Sequence, residues 1–258
     1  MRYIILVLTV GLWSCSENTL ETVVASEAYT EIKKALSINP VALDNYAAQG
    51  KPAYVNKDNT GANAITDKAA TLGRVLFYDK NLSVNNTIAC ASCHKQEFAF
   101  GDTAIASLGV ENGRTERHSM RLINTRYANE AKFFWNERAA NLEAQVTMPI
   151  VDHLEMGFSG QTGRGNISTL ITKLNGIGYY QELFKLAYGD ATITEARMQT
   201  ALAQFIRSIQ SFDSKYDIGR AQVPNDGAPF PNFTAQENAG KTLFLNPPIF
   251  NSASVRIG

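Results

Sequence analysis

Apolar residues recur at helical spacing in several stretches of the chain, and no region is rich in strand signals. Between Thr194 and Gln210, residues Met198, Leu202, Phe205, Ile206 and Ile209 fall on one stripe, which predicts the clearest helix and a core-facing role for that stripe. Thr66 reads as an N-cap that opens a helix through Asp79, with Ala69, Leu72, Leu76 and Phe77 at the matching spacing. Shorter helices are predicted over Glu27–Ser37, stopped near Pro40, and over Ser168–Asn175 and Tyr179–Ala187. A further helix is predicted over Asn136–Met148, ended by Pro149. The box Thr234-Ala-Gln-Glu237 opens a last one that runs to Leu245.

Polar and turn-rich stretches separate these elements. Gly50–Asn63 reads as a linker or surface loop, Asn81–Thr87 as a loop, and Val223–Asn232 as a linker. The fold class expected is mostly α. Residues 15–64 are a polar N-terminal segment, 65–222 a first domain, and 223–258 a linker with the start of a second.

Composition narrows the class. The chain has 258 residues, 45% hydrophobic and 19% charged, an ordinary globular balance. Its net charge of zero argues against a broad nucleic-acid surface. At the N-terminus, Arg2 precedes an apolar run to Trp13 that is too short to span a bilayer but suits a leader over residues 1–14. Ser14-Cys15, with Leu12 upstream, resembles a lipobox, so Cys15 is expected to carry lipid and to tie the exported protein to a membrane. A plain secretory leader with a chance cysteine is the alternative. Either way the expected location is the periplasm or cell envelope.

Residues 90–94 read Cys-Ala-Ser-Cys-His. Two thiols three apart can form thioethers with the two vinyl groups of haem c, and His94 then becomes the proximal iron ligand. Cys15, Cys90 and Cys93 are the three cysteines of the chain, so haem and lipid account for all of them and none remains for a disulfide. A zinc site would need a second pair of ligands at compatible spacing, and a thioredoxin-like dithiol would need an α/β fold. Neither context is present. His118 and His153 read as hydrogen-bonded loop residues. An electron carrier would add a sixth ligand, for which Met120, Met148, Met156 and His118 are candidates. The stretch from Gln145 to Glu155 offers a different use: an amide, Pro149 and a carboxylate lining one cavity. Peroxide cleavage needs a group that moves a proton and a polar partner that orients the substrate.

The run Leu72-Gly-Arg-Val-Leu-Phe-Tyr-Asp79, then Leu82-Ser83, then Cys90-Ala-Ser-Cys-His94 resembles the first haem domain of bacterial di-haem cytochrome c peroxidases and MauG proteins. Arg117–Asn124, Phe134–Arg138 and Gln145–Glu155 extend the resemblance to about residues 65–250. It implies a cytochrome c-like domain followed by the start of another, whose own Cys-x-x-Cys-His would follow Gly258. It also implies Glu155 as acid/base, Gln145 as the group orienting peroxide, Pro149 on the distal face, and Trp135 on the electron path between two haems. Asn124 would be a calcium ligand. Without the resemblance, Trp135 reads as a buried aromatic and Asn124 as a loop cap.

The implied activity is reduction of hydrogen peroxide to water with electrons from a small cytochrome c or cupredoxin, in a protein that could form a homodimer. MauG-like oxidation of a protein or small molecule, and plain electron transfer, are the alternatives. Many relatives carry an iron-blocking histidine in the loop after the first haem motif. The corresponding Ser107–Val110 has none, so an iron open at rest is expected.

Overall fold

The computed structural model describes residues 28–129 and 132–246. The expected leader, Cys15 and the tail at 251–258 lie outside them. Nine α-helices are present among the described residues: α1 (Thr30–Leu36), α2 (Asp67–Tyr78), α3 (Cys90–Cys93), α4 (Leu142–Val151), α5 (Ile167–Asn175), α6 (Gly178–Tyr188), α7 (Glu195–Ser208), α8 (Lys215–Arg220) and α9 (Ala235–Leu245). Short 3-10 turns and three isolated bridges occupy the loops, and no sheet forms among the described residues.

Helices α2 and α7 are the centre of the fold. They pack so closely at Gly73 that a Cβ there would fall on the Ala201 carbonyl oxygen. Leu72, Leu76 and Phe77 of α2 and Met198, Ala201, Leu202 and Phe205 of α7 share one buried core with Leu142, Val146 and Ile150 of α4. Each helix starts on a threonine cap: Thr66, read off the sequence, accepts from the Ala69 N–H, and Thr194, which the structure adds, accepts from the Arg197 N–H. Ile32 and Tyr46 belong to the same core although they precede residue 65.

Helix α4 corrects the sequence expectation at both ends. It begins at Leu142, because Asn141 caps it by accepting the Ala144 N–H. Residues 134–138 instead form a turn closed by the Phe133–Ala139 bridge. Pro149 does not end the helix but sits inside it, one turn after Gln145, and two more helical residues follow. Proline is tolerated so near the end because only one ladder bond, that to the Gln145 carbonyl, is forgone.

Gly50–Asn63 is a loop tied firmly to the body. Asn59 donates to the Thr125 carbonyl, Asp58 pairs with Arg126 at 2.6 Å, and Tyr54 donates to Asp217 of α8 at 2.6 Å. Its end enters a buried polar network in which Arg207 pairs with Glu143 and donates to Asn59, while Gln204 donates to Asn63. The loop before α3 is anchored as well. Tyr179 and Tyr180 both donate to Asp79 at 2.7 Å, and buried Ser83 accepts from the Thr87 and Ile88 N–H groups. After α8, Phe230 is buried against Tyr216 and Phe233, and Lys215 pairs with Glu237 of α9 at 2.5 Å. No helix among the described residues is long and apolar enough to cross a membrane.

Candidate functional site

A cavity of about 330 Å³ opens beside α3. Cys90, Cys93 and His94 line it, together with Trp135, Gln145, Pro149 and Glu155, so one space gathers seven of the residues singled out from sequence. Helix α2 supplies Phe77, α4 supplies Leu142 and Val146, and α7 supplies Leu202 and Ile206. The α7 stripe therefore does double duty: Leu202 is fully buried core and also cavity wall.

The thiols stand on a single helical turn. The Ala89 N–H donates to Ser92 Oγ at 3.0 Å and starts it, and the His94 N–H donates to the Cys90 carbonyl at 2.9 Å and closes it. Both cysteines are free. Burial, with Cys93 alongside, pushes the Cys90 thiol up to about 12, and burial raises Cys93 as well. Both therefore remain neutral thiols at ordinary pH. Burial also holds His94 below its usual value, which keeps the imidazole neutral. Its Nδ1 lies 2.8 Å from the Phe100 carbonyl oxygen. A carbonyl only accepts, so Nδ1 carries the proton and Nε2 keeps the lone pair a metal needs.

These residues fit covalent haem. Two thiols are placed for two vinyl groups, a neutral imidazole presents its Nε2, the walls are apolar, and Arg114, Arg117 and Arg138 at the margin suit the two propionates.

Glu155 is half-buried on the cavity wall. Burial raises its carboxyl to about 7, with Asp152 and Glu116 adding to the rise and Arg138 opposing it. A carboxyl at that value can both take and return a proton near neutrality. Its position is fixed by backbone: the Val110 N–H donates to the Glu155 carbonyl at 2.9 Å, and Asp152 Oδ1 accepts from the Glu155 N–H at 3.0 Å. Gly109 makes this approach possible, since a Cβ there would fall on the Leu154 carbonyl oxygen.

Trp135 is 60% exposed, which excludes the buried-aromatic reading. Its indole N–H donates to the His118 carbonyl at 2.9 Å. His118 and His153 are hydrogen-bonded loop residues, to the Ala104 carbonyl and to Ser159, and both also reach the cavity. Of the methionines weighed as sixth ligands, Met120 and Met156 line the cavity and Met148 does not. Asn124 lies apart from it. It caps the Thr125–Tyr127 turn in the left-handed region, and its side chain pairs with both backbone groups of Ser211. No cluster of three or more His, Cys, Asp or Glu that could hold a metal occurs among the described residues, so calcium at Asn124 has only the resemblance behind it.

Sequence reasoning missed the loop residues of the site: the arginines at 114 and 138 and the carboxylate at 116. They sit in irregular chain, where spacing predicts no common face.

Residues 67–222 match the family described as di-haem cytochrome c peroxidase. The chain belongs to that family. Its members carry c-type haem and are oxidoreductases, and its mostly helical fold is the one found here. The methylamine utilization protein MauG of Methylophilus methylotrophus is 32% identical over 60% of this chain and 44% of its own length. The cytochrome c551 peroxidase of Nitrosomonas europaea is 28% identical over 72% of this chain and 54% of its own. The chain thus spans about half the length of the curated relatives it matches, and those relatives divide between peroxidases and MauG proteins. Among solved structures, a MauG-like protein associated with microbial copper homeostasis is 29% identical with a TM-score of 0.57, covering 65% of this chain and 48% of that one. The di-haem peroxidase BthA of Burkholderia thailandensis shares the fold at a TM-score of 0.58 and 22% identity, covering 80% of this chain and 53% of its own.

Proposed function

We propose that this chain is the peroxide-reducing haem domain of a di-haem cytochrome c peroxidase. One observation carries the reading: a carboxyl raised to about 7 shares a cavity with the haem-attachment thiols and the axial histidine. Haem bound at Cys90, Cys93 and His94 supplies the redox chemistry. Gln145, Pro149 and Glu155 line the part of the cavity where hydrogen peroxide would bind. Gln145 holds the peroxide by hydrogen bonding, and Pro149 keeps the wall beside it rigid. Glu155 accepts the proton of the bound peroxide and returns it to the departing oxygen as water. Reducing one peroxide to two waters consumes two electrons and two protons.

The electrons come from a small cytochrome c or cupredoxin through a second haem domain in the remainder of the protein. Trp135, which reaches from the cavity to the surface, is suited to receive them. The protein works in the periplasm or cell envelope, anchored by lipid at Cys15. A MauG-like oxidation of an external substrate is the second reading, supported by the 32% identity to a MauG protein and by the exposure of Trp135. A haem iron left with an exchangeable site would separate both from an electron carrier. The electron spin resonance spectrum of the oxidised full-length protein should show a high-spin haem. Six-coordinate low-spin signals alone would reject it.

A further inference from the structure

Asp102 is the only buried carboxylate among the described residues. A buried charge is costly unless its oxygens are bonded, and here both are. Lys95 Nζ donates to Oδ1 at 2.8 Å, the Thr103 N–H donates to Oδ1 at 2.7 Å, and Ser107 Oγ donates to Oδ2 at 2.7 Å. Ser107 is itself fully buried, and its Oγ lies 2.8 Å from Ser119 Oγ. One carboxylate thus joins the residue after His94, the loop that follows the haem motif, and the segment at 115–119 that lines the cavity.

What this junction closes is a strained turn. Ala99 and Phe100 are consecutive non-glycine residues at φ +58° and +57°. Each such residue costs on the order of 1–2 kcal/mol and persists only where the surroundings enforce it. The turn is held at its base by the Lys95–Gly101 bridge, with the Lys95 N–H on the Gly101 carbonyl at 2.9 Å. The Lys95–Asp102 ion pair lies immediately beside that bridge. The product of the strained geometry is the direction of the Phe100 carbonyl, which meets His94 Nδ1.

We propose that Asp102 is a positioning residue for the haem's axial ligand: it clamps the Lys95–Gly101 turn so that the Phe100 carbonyl holds His94 Nδ1–H, and it fixes a carboxylate beside that turn. The proposal rests on the reading that His94 binds haem iron. A firmly held Nδ1–H makes Nε2 a stronger donor. Stronger donation and a nearby negative charge both favour the oxidised iron and lower its reduction potential. Burial alone would raise the Asp102 carboxyl. The Lys95 ammonium, the Ser107 hydroxyl and the Thr103 and Ala104 N–H groups outweigh it and keep the carboxyl well below the usual range, so the charge is permanent at working pH.

The test uses the haem-loaded full-length protein and its Asp102→Asn and Ser107→Ala variants. The readouts are the reduction potential of the His94 haem and the iron–histidine stretching frequency of its ferrous form. Asp102→Asn should keep covalent haem, raise the potential and lower the stretching frequency. Ser107→Ala, which keeps the charge and removes one donor, should move both in the same direction by less. If Asp102→Asn fails to fold, the Ser107→Ala result decides alone. Unchanged potential and frequency, with haem bound and ligated by His94, overturn the proposal. A wild-type spectrum that survives His94→Ala instead rejects the axial-ligand reading on which the proposal rests.

Discussion

The Val110 N–H donates to the Glu155 carbonyl at 2.9 Å, tying the loop after the haem motif directly to the segment that carries the cavity's carboxyl. The same loop passes Leu154 at Gly109, with no room for a side chain. The placement of Glu155 is therefore a backbone property, set by chain packing rather than by its own side-chain contacts.

Gly109→Ala should disturb that placement. The atom in the way is a backbone oxygen, which cannot swing aside, so the two loops must part. Overpacking of this kind costs about 1–3 kcal/mol. The variant should retain haem, unfold at lower denaturant, and turn over peroxide at least about tenfold more slowly, since misplaced catalytic groups lose rate steeply. Urea unfolding and steady-state assay check both parts.

Glu155 gives a pH dependence with a definite sign. The carboxyl must be ionised to accept the first peroxide proton, so kcat/KM should fall as pH drops through about 7. In Glu155→Gln that limb should vanish, with turnover reduced about 10²–10⁴-fold. Stability runs with the protonated form. The folded carboxyl sits above its ordinary value of 4.5, so its contribution is whole below that pH and is lost as pH rises through about 7. Glu155→Gln should accordingly match wild type in stability near pH 4 and exceed it at pH 8, by on the order of 1–3 kcal/mol. Denaturant titrations at the two pH values read this out.

Much of this architecture is visible in the sequence. Caps at Thr66 and Thr234 mark two helix starts correctly, and Cys90, Cys93 and His94 stand out by their spacing. Helix α4 was misplaced because Pro149 reads as a stop, whereas the decisive signal was the Asn141 cap. Helix α8 escaped notice although Ser214 and Asp217 form a capping box, because it is short and adjoins a turn-rich stretch. Asp102 was invisible for a different reason. An aspartate after glycine reads as a turn residue, and its partners Lys95, Ser107 and Ser119 meet only through loop geometry that no periodicity encodes.

The N-terminal loop offers a test of the buried network. Arg207, whose side chain is 4% exposed, pairs with Glu143 and holds Asn59. Arg207→Met leaves a partly buried carboxylate without its cation, a change that costs about 3–5 kcal/mol. The variant should lose that much stability, and its 50–63 loop should be cut by protease faster than in wild type. Limited proteolysis followed by mass analysis locates the cut.

The most direct test of the account is peroxide-dependent oxidation of a reduced small cytochrome c by the haem-loaded full-length protein, run beside Glu155→Gln. The account predicts steady turnover in the wild type and its loss in the variant, with covalent haem intact in both. Haem-loaded wild type that leaves peroxide untouched, or a variant that turns over equally fast, would contradict it.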